Sequence, residues 1–217
     1  MSTATATVTD TVTETATGAV TAGAATALVQ DALPMTVDGG GDRAWDPMEF
    51  VPPLDGPPRH TVVGSPVGEL LLVGDGEALS GLFMLPDAKY VPEIGGDWVR
   101  DDAVFDEVTR QLEEYFGGER REFDLRLAPR GTDFQRRVWR ELTTIPYGRT
   151  TSYGAMADAL GSPTASRAVG AANGRNPISI IVPCHRVIAS TGALTGYAGG
   201  LDKKQQLLAL ERGSRAA

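Results

Sequence analysis

The sequence predicts an α+β protein in which a small sheet-bearing domain precedes a helical one. Three observations carry this. Short β-prone runs broken by turn residues lie between residues 59 and 84, helical stretches with recognisable caps follow from Asp102 onward, and a Thr/Ala/Gly/Pro-rich segment before Pro58 has neither period. The expected division is a disordered low-complexity tail over residues 1–58, a scaffold domain over 59–129 and a helical domain over 130–217.

In the first segment, Arg43 stands alone against eight carboxylates, and alanine supplies most of the apolar content. Such a stretch cannot bury enough apolar surface to offset chain entropy, so no fold is expected of it. It lacks the basic start and apolar core of a signal peptide and the arginines of a mitochondrial leader. No run approaches the ~20 apolar residues of a membrane span, so no membrane partner is expected, and a single cysteine, which cannot form an internal disulfide, fits the cytoplasmic location expected.

The scaffold domain opens with His60-Thr61-Val62-Val63, then Glu69-Leu70-Leu71-Leu72-Val73, then Ala78-Leu79-Ser80-Gly81-Leu82-Phe83-Met84. Ser65-Pro66-Val67-Gly68 and Gly74-Asp75-Gly76 separate them, which reads as an antiparallel meander. From Asp102 to Phe116, Val104, Phe105, Val108, Leu112, Tyr115 and Phe116 recur at helical spacing, with acids in the first turn and Gly117-Gly118 as the stop. Phe123, Leu125 and Leu127 then alternate with polar residues as in a half-buried strand. Nothing in this domain suggests chemistry.

In the helical domain, Thr132 or Asp133 is placed to cap a helix with the stripe Phe134, Val138 and Leu142, closed by Pro146-Tyr147-Gly148. Two short helices follow. One runs from Ser152 to Leu160 with Gly161 as stop, and the next begins with Ser162 as N-cap and Pro163 as first residue and reaches Asn173. So tight a connection predicts a helix-turn-helix. The second helix is made of small residues apart from Arg167 and Val169, so its backbone can approach closely whatever it touches. Arg167 has no carboxylate at i±3 or i±4, which favours a surface or ligand role over an intrahelical ion pair.

Charge divides along the same boundary. The chain carries −8 in all; residues 1–129 hold 8 basic and 23 acidic groups (−15), and residues 130–217 hold 12 basic and 5 acidic groups (+7). An acidic whole argues against nucleic acid, but the basic second half permits a polyanionic partner.

That half also holds the only cysteine, in Ile180-Ile181-Val182-Pro183-Cys184-His185-Arg186-Val187. A lone cysteine is by default a small buried hydrophobe. Here an apolar, strand-like run stops at a proline and continues with two basic residues, which are expected at a wet edge where cationic neighbours favour thiolate. One cysteine and two histidines leave little for a zinc site, so neither metal nor cofactor is expected. In an extended segment neighbouring side chains point to opposite sides, so His185 is expected to reach Cys184 through a water rather than directly.

The motifs Gly131-Thr132-Asp133-Phe134-Gln135, Thr151-Ser152-Tyr153-Gly154, Ser166-Arg167-Ala168-Val169-Gly170, Asn176-Pro177, Ile181-Val182-Pro183-Cys184-His185-Arg186-Val187 and Gly196-Tyr197-Ala198-Gly199-Gly200-Leu201 stand in this order. Together they resemble the O6-alkylguanine-DNA alkyltransferase family over residues 59–212. The resemblance implies a ribonuclease-H-like first domain and a winged-helix-like second one. It implies a partner, double-stranded DNA containing O6-alkylguanine, bound by a monomer with cooperative loading on DNA. It implies single-turnover transfer of the alkyl group to Cys184 after base flipping, assisted by His185, Glu211, Tyr153 and Asn176. Arg167, Tyr153, Ser166 and Ala168 would meet the duplex, with phosphate contacts from Arg136, Arg149 and Arg175. Val187, Tyr197, Ala198 and Gly199 would form the base pocket. Many members carry Ser at position 198; Ala198 keeps the backbone donor and loses the hydroxyl.

A lesion-binding relative without transfer chemistry is disfavoured by Cys184. A Cys-His hydrolase is disfavoured by the lack of an oxyanion-hole glycine pattern. A regulator fused to cysteine-based metal domains is ruled out by the single cysteine.

Overall fold

The structure, a computed structural model, describes residues 48–52, 56–86 and 88–213. Its centre is the expected meander: β2 (Arg59–Val63), β3 (Leu70–Gly74) and β4 (Leu79–Met84) pair antiparallel, with Val62 opposite Leu71 and Leu72 opposite Leu82. All of β3 is buried, as its uninterrupted apolar run requires.

The edges differ from a plain meander. The strands β5 (Val99–Arg100), β6 (Leu125–Leu127) and β1 (Met48–Phe50) add in parallel to β2, β4 and β6 respectively, giving the order β1-β6-β4-β3-β2-β5. For β6 the cause is the intervening α1 (Asp106–Phe116), because a helical crossover returns the chain in parallel. β1 corrects the expectation for residues 1–58 at its far end: Met48–Phe50 is a strand paired with Leu125–Leu127. The rest of that segment, apart from residues 51–52 and 56–58, lies outside the described residues.

A 3-10 turn at Ala103–Phe105 leads into α1, whose Val108, Leu112 and Tyr115 face the core. Gln111 pins the helix to the start of the β6 strand region, donating to Asp124 O at 2.8 Å and accepting from Asp124 N at 2.9 Å.

Thr132 caps α2 (Asp133–Leu142) through a reciprocal capping box: Gln135 N donates to Thr132 Oγ1 at 3.3 Å and Thr132 N donates to Gln135 Oε1 at 2.9 Å. Thr132→Ala is expected to cost about 1 kcal/mol, read as a fall of roughly 2–4 °C in Tm. The helix stops at Leu142 rather than at Pro146. The hydroxyls of Thr143 and Thr144 turn back onto the carbonyls of Arg140 and Glu141 at 2.7 and 2.9 Å and satisfy its open end.

The next helix, α3 (Tyr153–Ala159), is capped by Ser152 Oγ, which accepts from Ala155 N at 3.1 Å. Its successor is shorter than expected. Pro163–Ala165 forms a 3-10 turn, Ser162 makes no side-chain cap, and α4 spans Ser166–Asn173. The bond from Ala165 N to Ser162 O, at 2.8 Å, tightens this entry. The last helix is α5 (Leu201–Glu211), and β7 (Thr151–Ser152) pairs in parallel with β8 (Val187–Ile188).

The two halves share one core. Leu82 N donates to Pro177 O at 2.8 Å and Ser179 N donates to Leu82 O at 3.1 Å, while Leu82, Ile178, Ile180 and Val182 are all buried. The segment that leads to Cys184 therefore rests on β4. No described helix is long and apolar enough to cross a membrane.

Candidate active site

The apolar run before Cys184 is not a strand. Asn176 diverts its hydrogen bonds: Oδ1 accepts from Ile178 N at 3.0 Å in an Asx turn, and Nδ2 donates to Val182 O at 2.7 Å. Tight turns follow, with Cys184 N donating to Val182 O at 2.8 Å and Ile180 held at φ 71°. A buried β-branched residue in that region costs about 1–3 kcal/mol, so the surrounding packing must impose it. Cys184–Arg186 is a 3-10 turn that feeds β8.

This corrects two expectations. Cys184 and His185 are not neighbours on an extended strand, and the basic pair does not sit at a wet edge: Cys184, His185, Arg186 and Glu211 are 3, 0, 6 and 5% exposed. Burial of two basic groups is tolerated because Glu211, at the end of α5, meets both. Its Oε1 accepts from His185 Nε2 at 2.8 Å, Arg186 Nη2 at 2.9 Å and Tyr115 OH at 2.8 Å. Its Oε2 accepts from Arg186 Nε at 3.0 Å and Gly148 N at 3.1 Å. Arg186 Nη1 donates to Ile145 O at 2.6 Å. Gly148 has φ 73°, and a Cβ there would lie 2.9 Å from Glu211 O, so glycine is what lets this turn reach the carboxylate.

These contacts fix the protonation states. Burial opposes charge on Glu211, but His185 and Arg186 outweigh it and hold the carboxyl well below the usual range. Burial pushes the His185 imidazole down, with Arg186 and Lys204 adding to that effect against the pull of Glu211. The carboxylate is thus ionised and the imidazole neutral. An ionised carboxylate only accepts, so the imidazole proton is on Nε2, and the buried Nδ1, without a partner among the described residues, keeps a free lone pair. Burial raises the Cys184 thiol, partly offset by hydrogen bonding from Asn176 and the charge of Lys204. A thiol in this state needs a base to act as nucleophile.

Around the thiol, Tyr153 opens α3 and its hydroxyl donates to Thr195 O at 3.4 Å; burial raises its phenol. Burial likewise raises Tyr197 well above the ordinary phenol range. Gly199 lies against Met84, whose Cε would be 2.6 Å from an added Cβ, so this loop closes directly on the first domain. Ala198 O accepts from Lys89 N at 3.1 Å, and Val187 O accepts from Lys204 Nζ at 2.6 Å. Cys184 O accepts from Val187 N and, at 3.5 Å, from Asn173 Nδ2.

Two family models match this chain: the ribonuclease-like domain of 6-O-methylguanine DNA methyltransferase over residues 59–129, and the DNA binding domain of the same protein over residues 133–213. The chain belongs to this methyltransferase family. The methylated-DNA–protein-cysteine methyltransferase of Methanosarcina acetivorans is 53% identical over 152 residues, covering 70% of this chain and 97% of its own length. That of Mycobacterium tuberculosis is 54% identical over 158 residues, covering 73% and 94%. A crystal structure of M. tuberculosis OGT in complex with DNA superposes with a TM-score of 0.69 at 52% identity, over 72% of this chain and 94% of that one.

Within the DNA binding domain of this family member, the residues expected to meet DNA fall into two groups. Arg167 and Ala168 are exposed on α4, with Ser166 half-buried beside them, and Arg149 and Arg175 are exposed in the turns before β7 and after α4. Arg175 lies 5.9 Å from the Tyr90 ring. Arg136 is already engaged, pairing with Asp133 and donating to Gly131 O at 2.6 Å, and lines a surface cavity of about 280 Å³ with Phe50 and Pro129. On α4, Val169, Ala172 and Asn173 pack inward while Ala168 and Ala171 face out.

Sequence reasoning missed Tyr115, Asn173, Lys204 and the buried role of Arg186. Lys204 was detectable, because Lys204, Leu207, Leu208 and Glu211 share one face of α5 and all are buried. Its Nζ donates to Val187 O and Thr195 O at 2.6 and 2.9 Å, and burial lowers it to about 8. No group of three or more metal-ligating side chains occurs among the described residues.

Proposed function

We propose that this chain repairs duplex DNA by direct reversal, moving the alkyl group of O6-alkylguanine to Cys184 once and irreversibly. The observation that carries the reading is the buried Glu211–His185 pair beside a lone thiol, with Nδ1 of the imidazole left free. Through a bridging water, Nδ1 takes the thiol proton, and Glu211 stabilises the imidazolium that results. The thiolate attacks the alkyl carbon, the S–C bond forming as the bond to O6 breaks. Guanine leaves as an anion, stabilised by donation from Tyr153 to N3, and takes up the proton lost from the thiol.

The target base must leave the stack to reach a thiol this deep. Arg167 fills the gap from α4, the second helix of a helix-turn-helix laid in the minor groove, where small residues suit a narrow channel. Asn176 positions the turn, while Val187, Tyr197, the backbone N–H of Ala198 and Gly199 receive the base. The protein acts as a monomer, loads cooperatively on DNA and works in the cytoplasm. Phosphate contacts by Arg149 and Arg175 supply much of the affinity, so Arg149→Ala should lower the salt-dependence slope of log K by about 1 without changing lesion preference. Equal slopes in a salt titration would remove Arg149 from the interface.

The function itself is tested by mixing protein with excess duplex bearing one O6-methylguanine. The reading expects repaired lesions to plateau at the number of protein molecules; sustained turnover contradicts it.

A further inference from the structure

The first domain was expected to be scaffold, yet it sends one polar atom into the relay. Tyr115, on α1, is fully buried, and its hydroxyl donates at 2.8 Å to Glu211 Oε1, the oxygen that also accepts from His185 Nε2. The two residues are 96 positions apart. Packing alone does not call for a hydroxyl there. The Tyr115 ring lies 5.3 Å from Phe116, 5.4 Å from Phe123 and 6.0 Å from Tyr147, contacts that phenylalanine would make equally. A buried hydroxyl is costly unless bonded, and Glu211 is the partner it has.

We propose that Tyr115 is a positioning residue of the transfer reaction, through which the ribonuclease-like domain sets how strongly Glu211 draws a proton onto His185. The proposal rests on the alkyltransferase reading for its kinetic consequence and on geometry alone for its physical one. Each donor to Oε1 withdraws electron density from the bond to Nε2, so a carboxylate relieved of one donor stabilises imidazolium better. Arg186 keeps Glu211 ionised in either case. Burial and the nearby carboxylate hold the Tyr115 phenol well above its ordinary range, so it remains a donor at every working pH. The other titratable groups facing the pair are Arg186 and Cys184 on the turn, Tyr147 and its neighbour Arg121, Lys204 on α5 and Tyr197 on the loop before it. Tyr115→Phe keeps the ring that meets Tyr147 and removes only the hydroxyl.

The test is Tyr115→Phe. In single-turnover transfer, the acid-side midpoint of the pH–rate profile should move up by about 0.5–1 pH unit, a three- to tenfold slower rate at pH values below both midpoints, with DNA affinity unchanged. A uniform loss of rate at all pH values, or no loss, overturns the proposal. The chain has only two histidines, His60 and His185. Imidazole NMR therefore follows His185 directly, with His60→Gln giving the assignment, whether or not the chain transfers anything. An upward shift of the His185 titration in Tyr115→Phe supports the proposal even if the alkyltransferase reading fails, and an unmoved His185 refutes it even if transfer proceeds. Should Tyr115→Phe fold poorly, 3-fluorotyrosine at position 115, a stronger donor, should shift His185 downward; no shift again refutes it.

Discussion

Glu211→Ala is expected to destabilise the fold by about 3–5 kcal/mol and to abolish alkyl transfer at the same time. The side chain is fully buried, and its loss leaves Arg186, 7% exposed at the side chain, without its counter-charge. Tyr115 OH and Gly148 N lose their acceptor as well. For a fold of this size the Tm should drop by roughly 6–20 °C. The pH dependence has a definite sign. The Glu211 carboxyl is held below its ordinary value of 4.5, so its contribution is present above pH 4.5 and is lost as pH falls below it. Chemical denaturation from pH 7 down to pH 3 should therefore show an acid-side loss in the wild type that is smaller in Glu211→Gln. Parallel curves would mean that the carboxylate is not ionised by its partners in the folded state.

Cys184→Ala is expected to remove all transfer while leaving DNA binding and folding nearly intact. Cys184 has no side-chain role in the Glu211 cluster, and the turn around it is held by backbone bonds and by Asn176. Alanine loses one buried sulfur, a cost of about 1 kcal/mol. Lesion duplex should stay bound and unrepaired, with gel-shift affinity within about threefold of wild type. Residual repair by this variant would take Cys184 out of the chemistry.

Much of the fold could be read from local pattern. The apolar runs of β2, β3 and β4, the spacing of Val108, Leu112 and Tyr115 in α1, and Thr132 with Gln135 at the start of α2 all carry their information within a few residues. The edge strands could not be read that way. Met48–Phe50 and Val99–Arg100 are too short for a period, and only their neighbours make them strands. The run before Cys184 looked like a strand because its residues are apolar and β-branched. Its backbone bonds are instead taken by the side chain of Asn176 and by Leu82, a competition that periodicity does not register.

The site divides in the same manner. Cys184 and His185 stood out by type and adjacency, whereas Glu211 as their partner came from family resemblance, the local reading offering only an acid at the unfavourable end of a helix. Arg186 was misplaced for a related reason. A guanidinium is expected at the surface unless something buried meets it, and what meets it is a carboxylate 25 residues on and the carbonyl of Ile145, 41 residues back. Tyr115 is still more distant, and its ring fits the apolar stripe of α1, which leaves the hydroxyl without a local signal.

The central claim is that Cys184 is the alkyl acceptor. Intact-mass and peptide mapping after mixing with a duplex bearing one O6-methylguanine tests it most directly. The expected result is one added methyl group per protein, located on Cys184 in the peptide that carries His185 and Arg186, with the guanine restored. A methyl group on any other residue, or a restored duplex with unmodified protein, would contradict it.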